Sequence, residues 1–210
     1  MRILVVANAF PTEKYPLNGI FEWDQAKALK QHGHEIILVA IDLRAIRRKR
    51  KFGLRIQESE GIKVYNISIP LGRVPKKILD HAGWFAFKKI YKIIKSEGQN
   101  IDIVHYHFGR TMSYIGLKAK QRFGLKYIAT EHDSTVNKDQ LSDNERAQLK
   151  KFYHEAEARI AVSEPFKIRL EEIYKEKFDY IPNIIDLKAI NDCKKVPHEG
   201  FTFVSVGNLI

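Results

Sequence analysis

Apolar runs alternate with amphipathic segments along almost the whole chain. The blocks at 3–7, 35–41, 63–69, 103–106, 127–130 and 159–162, with a brief one near Tyr180, have the length of buried strands. Between them, the spacing of apolar positions predicts helices over 21–31, 77–96, 111–122, 144–157 and 165–174. Ser163 followed by Glu164 and Pro165 supplies an N-cap and a first-turn proline for the last of these. Strand–helix alternation of this kind predicts an α/β fold: Rossmann-like, with a mostly parallel sheet and helices on both faces. Right-handed crossovers would then gather the carboxyl ends of the strands on one edge, where ligands bind.

The pattern breaks after Asp186 into a polar stretch whose residues 191–200 read as a linker. Residues 201–207 read as a fresh strand ending at Gly207. The expected organisation is one domain over 1–190, a linker over 191–200, and the first strand of a second domain over 201–210. A chain of 210 residues with 44% hydrophobic content can bury a substantial core, which excludes a disordered chain. Cys193 is the single cysteine, so no internal disulfide can form and a cytoplasmic location is expected. The opening run at 3–7 is short and is followed by Asn8, Pro11 and Glu13, so it reads as a first strand rather than a signal peptide. No other uninterrupted apolar stretch approaches the length needed to cross a bilayer.

Candidate chemistry sits where predicted strands end. After the first strand, a loop runs through Pro16, Leu17, Asn18 and Gly19 into a helix. Its glycine permits close backbone approach, and the helix start offers free N–H groups; an ordinary glycine turn would have the same sequence. His105 and His107 end another strand at a spacing of two, which places them on one face of the sheet. Structural or capping roles suit the pair better than metal binding, because no third ligand sits at a convincing spacing. Thr130-Glu131-His132-Asp133 repeats the theme at the next strand end, so the two ends can share a polar site. The absence of G-x-G-x-x-G disfavours a dinucleotide dehydrogenase, and the absence of G-x-S-x-G leaves Ser163 as a helix cap rather than a nucleophile.

In this order, the Gly19 loop, His105-Tyr106-His107, Thr130-Glu131-His132-Asp133, Val162-Ser163, Ile181-Pro182-Asn183 with Asp186, and Val204-Ser205-Val206-Gly207-Asn208-Leu209 resemble the N-terminal domain of family-four retaining glycosyltransferases. The resemblance implies one half of a GT-B fold, two Rossmann-like domains facing each other across a cleft. It implies transfer of a sugar from a nucleotide-sugar donor to a sugar or lipid-linked hydroxyl acceptor with retention, without metal or other cofactor. It places Asn18 and Gly19 near the donor diphosphate or acceptor, His107 against the transferred sugar as the catalytic residue, and His132 and Asp133 in the same cleft. Asn183 would close the first domain, and Gly207 would open the phosphate-facing loop of the second. The chain departs from the family pattern at Ile20, Ile184 and Asn208, where a second glycine, a glycine and an arginine are common. The paired glutamates that hold the donor would lie beyond Ile210, so these residues alone are expected to be inactive. A nucleotide-sugar epimerase of the same architecture and a non-catalytic sugar- or lipid-binding domain are the alternatives.

Charge adds one further expectation. Two segments account for more than the entire net charge of +11: residues 44–55 hold seven basic residues and no acid, and residues 73–95 hold seven basic residues and one acid. Such a focused field attracts phosphate groups. On a helical wheel Lys88, Lys89, Lys92 and Lys95 form a basic face that includes Phe85, opposite a face built around Phe87, Ile90 and Ile94. With Arg47, Arg48, Lys49, Arg50 and Lys51, this face would make a patch for an anionic membrane at its inner surface, in polysaccharide or lipid-linked glycan synthesis. A core helix with a solvated lysine face would show the same wheel. Nucleic acid is disfavoured as a partner, since no zinc-finger spacing or RNA-recognition signature is present.

Overall fold

The structure is a computed structural model and describes residues 1–44, 51–71, 74–138, 140–185, 200, 201 and 203. Arg47, Arg48, Lys49 and Arg50 of the expected patch, Asp186, the linker up to residue 199 and most of the expected final strand lie outside the described residues.

In chain order the elements are β1 (Arg2–Ala7), α1 (Ile20–Gln31), β2 (Glu35–Asp42), β3 (Gly53–Ser59), β4 (Ile62–Ser68), α2 (Lys76–Ser96) and β5 (Ile103–His107), followed by α3 (Gly109–Phe123), β6 (Tyr127–Glu131), α4 (Ser134–Asn137), α5 (Asp143–Glu155), β7 (Ala158–Ala161), α6 (Glu164–Tyr174) and β8 (Asp179–Tyr180). They build one sheet in the order β3-β4-β2-β1-β5-β6-β7-β8. Every neighbouring pair is parallel except β3 with β4. Because β1 pairs with both β2 and β5, strand order reverses direction there. That reversal opens a crevice outside the carboxyl ends of β1 and β5.

Burial follows strand alternation. Leu4 and Val6 of β1 face one core with Val39, Tyr65, Tyr106, Phe87, Ile90 and Phe152, while Ile3 and Val5 face a second with Trp23 and Ala26 of α1. Helices therefore cover both faces, and the strands read as nearly continuous apolar runs because both of their sides are buried. The starts of α5 and α6 are capped by the side chains their sequences supply. Ser163 Oγ accepts from Phe166 N at the head of α6, and Ser142 forms a capping box with Glu145 at the head of α5.

Two elements differ from the expected set. β3 and the short α4 are additional, and β3 begins where the basic segment at 44–55 ends, sharing only residues 53–55 with it. β3 alternates Leu54 and Ile56 with Arg55 and Gln57, and joins β4 through a two-residue turn in which Glu60 and Gly61 both have positive φ, 48° and 70°. Because β3 is an antiparallel edge strand with mostly exposed residues, its polar positions mask the period of two. α4 has four residues, too few for a helical period to show.

Candidate active site

The β1–α1 loop reaches the switch point first. Gly19 is the N-cap of α1 with φ 75°, and a Cβ built there would lie 2.1 Å from the carbonyl oxygen of Ala9. The glycine is thus dictated by a close backbone approach between strand end and helix start. Beside it, Arg44 donates from Nη1 to Asn18 Oδ1 at 3.0 Å and grips Asp42 with two further donors. Glu22 is buried in the first turn of α1, where its carboxylate accepts from Asn8 N at 3.3 Å. Burial pushes the Glu22 carboxyl up and the Arg44 guanidinium down, and their mutual attraction opposes both shifts.

β5 and β6 bring three imidazoles together. His105 and His107 share one face, with ring centroids 4.4 Å apart, and His107 Nδ1 lies 3.0 Å from His132 Nε2. His105 Nε2 pairs with Thr130 Oγ1 at 2.7 Å. His132 is further stacked by Phe108 and by Phe21 of α1, at 4.9 and 5.9 Å between centroids. Burial holds His105 and His132 down to about 4 and His107 well below its ordinary value; neighbouring imidazoles add to the shift at His105 and His107. The three rings are therefore neutral at pH 7, and a single N–H joins His107 to His132. Whichever ring carries that hydrogen, the protonation of His107 Nε2 is tied to the tautomer of His132. His107 is fully buried, and its Nε2 has no hydrogen-bond partner among the described residues. Among the described residues His132 Nδ1 has no partner of full hydrogen-bond geometry, although the Asn183 side chain is near enough to favour the protonated ring.

Glu131 ties these strand ends together. Fully buried, its carboxylate accepts from Gly109 N (2.9 Å) and the Tyr153 hydroxyl on Oε2, and from His132 N (2.9 Å) and Asp133 N (2.8 Å) on Oε1. Burial raises its pKa to about 7 against the pull of these donors. Phe108, between His107 and Gly109, has φ 62°, an unusual conformation for an aromatic residue, and caps α3. The Glu131–Gly109 bond sits next to that strained residue and helps hold it.

The structure thus brings together the Gly19 loop, His107 and His132 across α1, β5 and β6. Asp133, expected in the cleft, accepts from Thr135 N at 2.8 Å as the N-cap of α4. Asn183, expected at a domain end, lies beside His132. Sequence reasoning named Glu131 only within its strand-end motif and Arg44 only within a basic segment, gave neither a role of its own, and passed over Glu22 and Asp42. The only available signal was Glu131 lying next to His132. On α2, Phe85 is 63% exposed, with Lys89 and Lys92 exposed beside it and Lys88 half-buried over its ring. Among the described residues no group of three or more His, Cys, Asp or Glu is arranged to hold a metal ion, and no helix is long and apolar enough to cross a membrane.

The strand order and the polar crevice at its reversal define a Rossmann-like domain with a ligand-binding edge. The chain belongs to Glycosyltransferase Family 4, whose family model matches residues 23–189. Among curated proteins, none matches it in sequence. Among solved structures it is similar to sucrose-phosphate synthase from Thermosynechococcus elongatus, with a TM-score of 0.68 at 16% identity over 90% of this chain and 49% of that one. The catalytic domain of starch synthase IV from Arabidopsis thaliana, bound to ADP and acarbose, gives a TM-score of 0.59 at 13% identity over 90% of this chain and 52% of that one. A trehalose-6-phosphate protein from E. coli, bound with UDP-2-fluoro glucose, gives 0.53 at 13% identity over 94% and 52%. The chain spans about half the length of each of these, and its fold is one half of the GT-B architecture.

Proposed function

We propose that this chain is the acceptor-side domain of a two-domain glycosyltransferase that moves a sugar from a nucleotide-sugar donor to a hydroxyl acceptor with retention. Family membership supports the reaction class. The observation that carries the site is the His107–His132 pair beside the Gly19 loop at the strand-order reversal. In this role the unpartnered Nε2 of His107, enclosed among the described residues, becomes accessible when donor and acceptor bind, and then orients the transferred sugar and supports the charge that develops on it. His132 fixes the tautomer of that ring. Glu131 acts through both, as a positioning residue. The donor's nucleotide and the paired glutamates belong to the second domain, so these 210 residues alone turn over no donor, and the reaction needs no metal. ADP and a UDP-sugar analogue in two of the similar structures make a nucleoside diphosphate sugar the natural donor class.

The outer face of α2 supports a lipid-linked acceptor at the cytoplasmic face of an anionic membrane, in glycan synthesis. Phe85 and Ile78, 63% and 50% exposed, stand beside exposed lysines on a helix whose other side is core.

The test is product analysis with the two-domain protein and a panel of nucleoside diphosphate sugars. A glycoside carrying the donor's anomeric configuration is expected. An epimerised nucleotide sugar, or no consumption of any donor, would refute the transferase reading.

A further inference from the structure

A pocket of about 690 Å³ opens between the β1–α1 loop and the β3–β4 hairpin. It lies at the carboxyl ends of β1 and β4, where Gly53 of β3 pairs with Ser68, so it shares the ligand-binding edge with the histidines. Its rim carries Lys14, Lys51 and Arg55, all exposed, against the single acid Glu13. Elsewhere Arg2, Arg44, Lys63, Lys76 and Arg110 each contact a carboxylate. None of the three rim cations has a carboxylate partner among the described residues; Lys14 lies over the Tyr15 ring. Asn18, Asn66 and Ser68 line the same space with neutral hydrogen-bonding groups.

The loop forming one wall is ordered by its own backbone. Thr12 and Tyr15 exchange hydrogen bonds, and Asn18 N donates to Tyr15 O. On the other wall, Arg55 and Asn66 are paired in register on adjacent strands. The pocket therefore combines an excess of positive charge, three cations to one acid, with amide and hydroxyl groups set at fixed spacing. A neutral sugar would use only the second set.

We propose that this pocket seats the oxyanion of an acidic sugar acceptor, a phosphate ester or a carboxylate, with Arg55 and Lys51 on the charged group and Asn66 and Ser68 on ring hydroxyls. The inference rests on the transferase reading above and narrows its acceptor class. Arginine suits an oxyanion because its planar fork can donate two parallel hydrogen bonds. Exposed cations are screened by salt, so binding weakens as ionic strength rises.

The experiment titrates this chain with glucose 6-phosphate, glucuronate, glucose and UDP, following backbone amide shifts by NMR. At least one acidic sugar should bind about tenfold or more tightly than glucose, shifting Arg55 and Asn66, and the pattern of the two acids tells phosphate from carboxylate. Arg55→Gln and Lys51→Gln, both on exposed positions, should remove that preference while thermal stability stays within a degree or two. Equal binding of glucose and the acidic sugars, a preference that survives both substitutions, or displacement of the acidic sugar by UDP from the same amides would each overturn the inference. The two readings fail separately. Transfer by the two-domain protein to neutral acceptors only would overturn the acidic acceptor and leave the transferase standing, whereas oxyanion binding without any transfer would do the reverse.

Discussion

At the residue scale, the site depends on a buried carboxylate that holds two loops. Gln in place of Glu131 keeps the volume but replaces one acceptor oxygen by a donor, leaving the Gly109 N–H and Tyr153 hydroxyl, or the two N–H groups at 132 and 133, without an acceptor. Glu131→Gln should destabilise the fold by about 1–3 kcal/mol, measured by urea unfolding. The buried imidazoles set the acid response. Burial holds His105 and His132 down to about 4 in the folded chain and His107 well below the ordinary value of 6.5, so between about 6.5 and 4 the unfolded chain binds protons that the folded one refuses. Stability from these groups therefore falls as pH falls through that window. Glu131 acts oppositely: folded near 7 and ordinarily near 4.5, it keeps a proton that the unfolded chain loses, so its contribution falls as pH rises. Three imidazoles outnumber one carboxyl, and net stability should rise from pH 4.5 to 6.5. His132→Gln should flatten that slope and Glu131→Gln should steepen it, both read from urea midpoints across the window. The histidines were legible because strand alternation and a spacing of two place them together. Glu131 was not, because its burial requires Tyr153, 22 positions away, and that convergence leaves no local trace.

At the scale of elements, parallel strands were legible as apolar runs because both faces are buried, whereas β3 was hidden by polar side chains on an exposed edge. Charge counting also assigned Arg44 to a basic segment, but its guanidinium is occupied by Asp42 and Asn18. Packing between α3 and α5 was equally hidden. A Cβ on Gly116 would lie 2.5 Å from the Phe152 ring, which is itself fixed against Tyr106 and Tyr127. Gly116→Ala should therefore lower stability by about 1–3 kcal/mol, visible as a shifted melting temperature. On α2, the wheel separated core from surface correctly, with Ala86, Phe87, Ile90 and Ile94 buried and Phe85 exposed. If the outer face meets anionic lipid, Phe85→Ser with Lys89→Gln and Lys92→Gln should reduce cosedimentation with phosphatidylserine vesicles by tenfold or more, at about 1 kcal/mol per lysine. Equal binding of the triple variant, or a salt-dependent preference for duplex DNA, would remove the membrane from the account.

At the scale of the molecule, the sheet order places one crevice at the β1–β5 reversal, and three sequence-distant segments meet there: the Gly19 loop, the end of β5 and the end of β6. The alternation of strands and helices made this edge legible in the sequence, while the burial of His107 and the cation-rimmed pocket beside β3 required the fold. The central claim is that His107 serves the transferred sugar. The measurement that tests it most directly is kcat of the two-domain protein with its nucleotide-sugar donor, comparing wild type with His107→Ala, alongside melting temperatures for both. Loss of a preorganised electrostatic contact predicts a fall of about a hundredfold or more in kcat with the fold retained. An unchanged kcat in a folded His107→Ala variant would contradict the account.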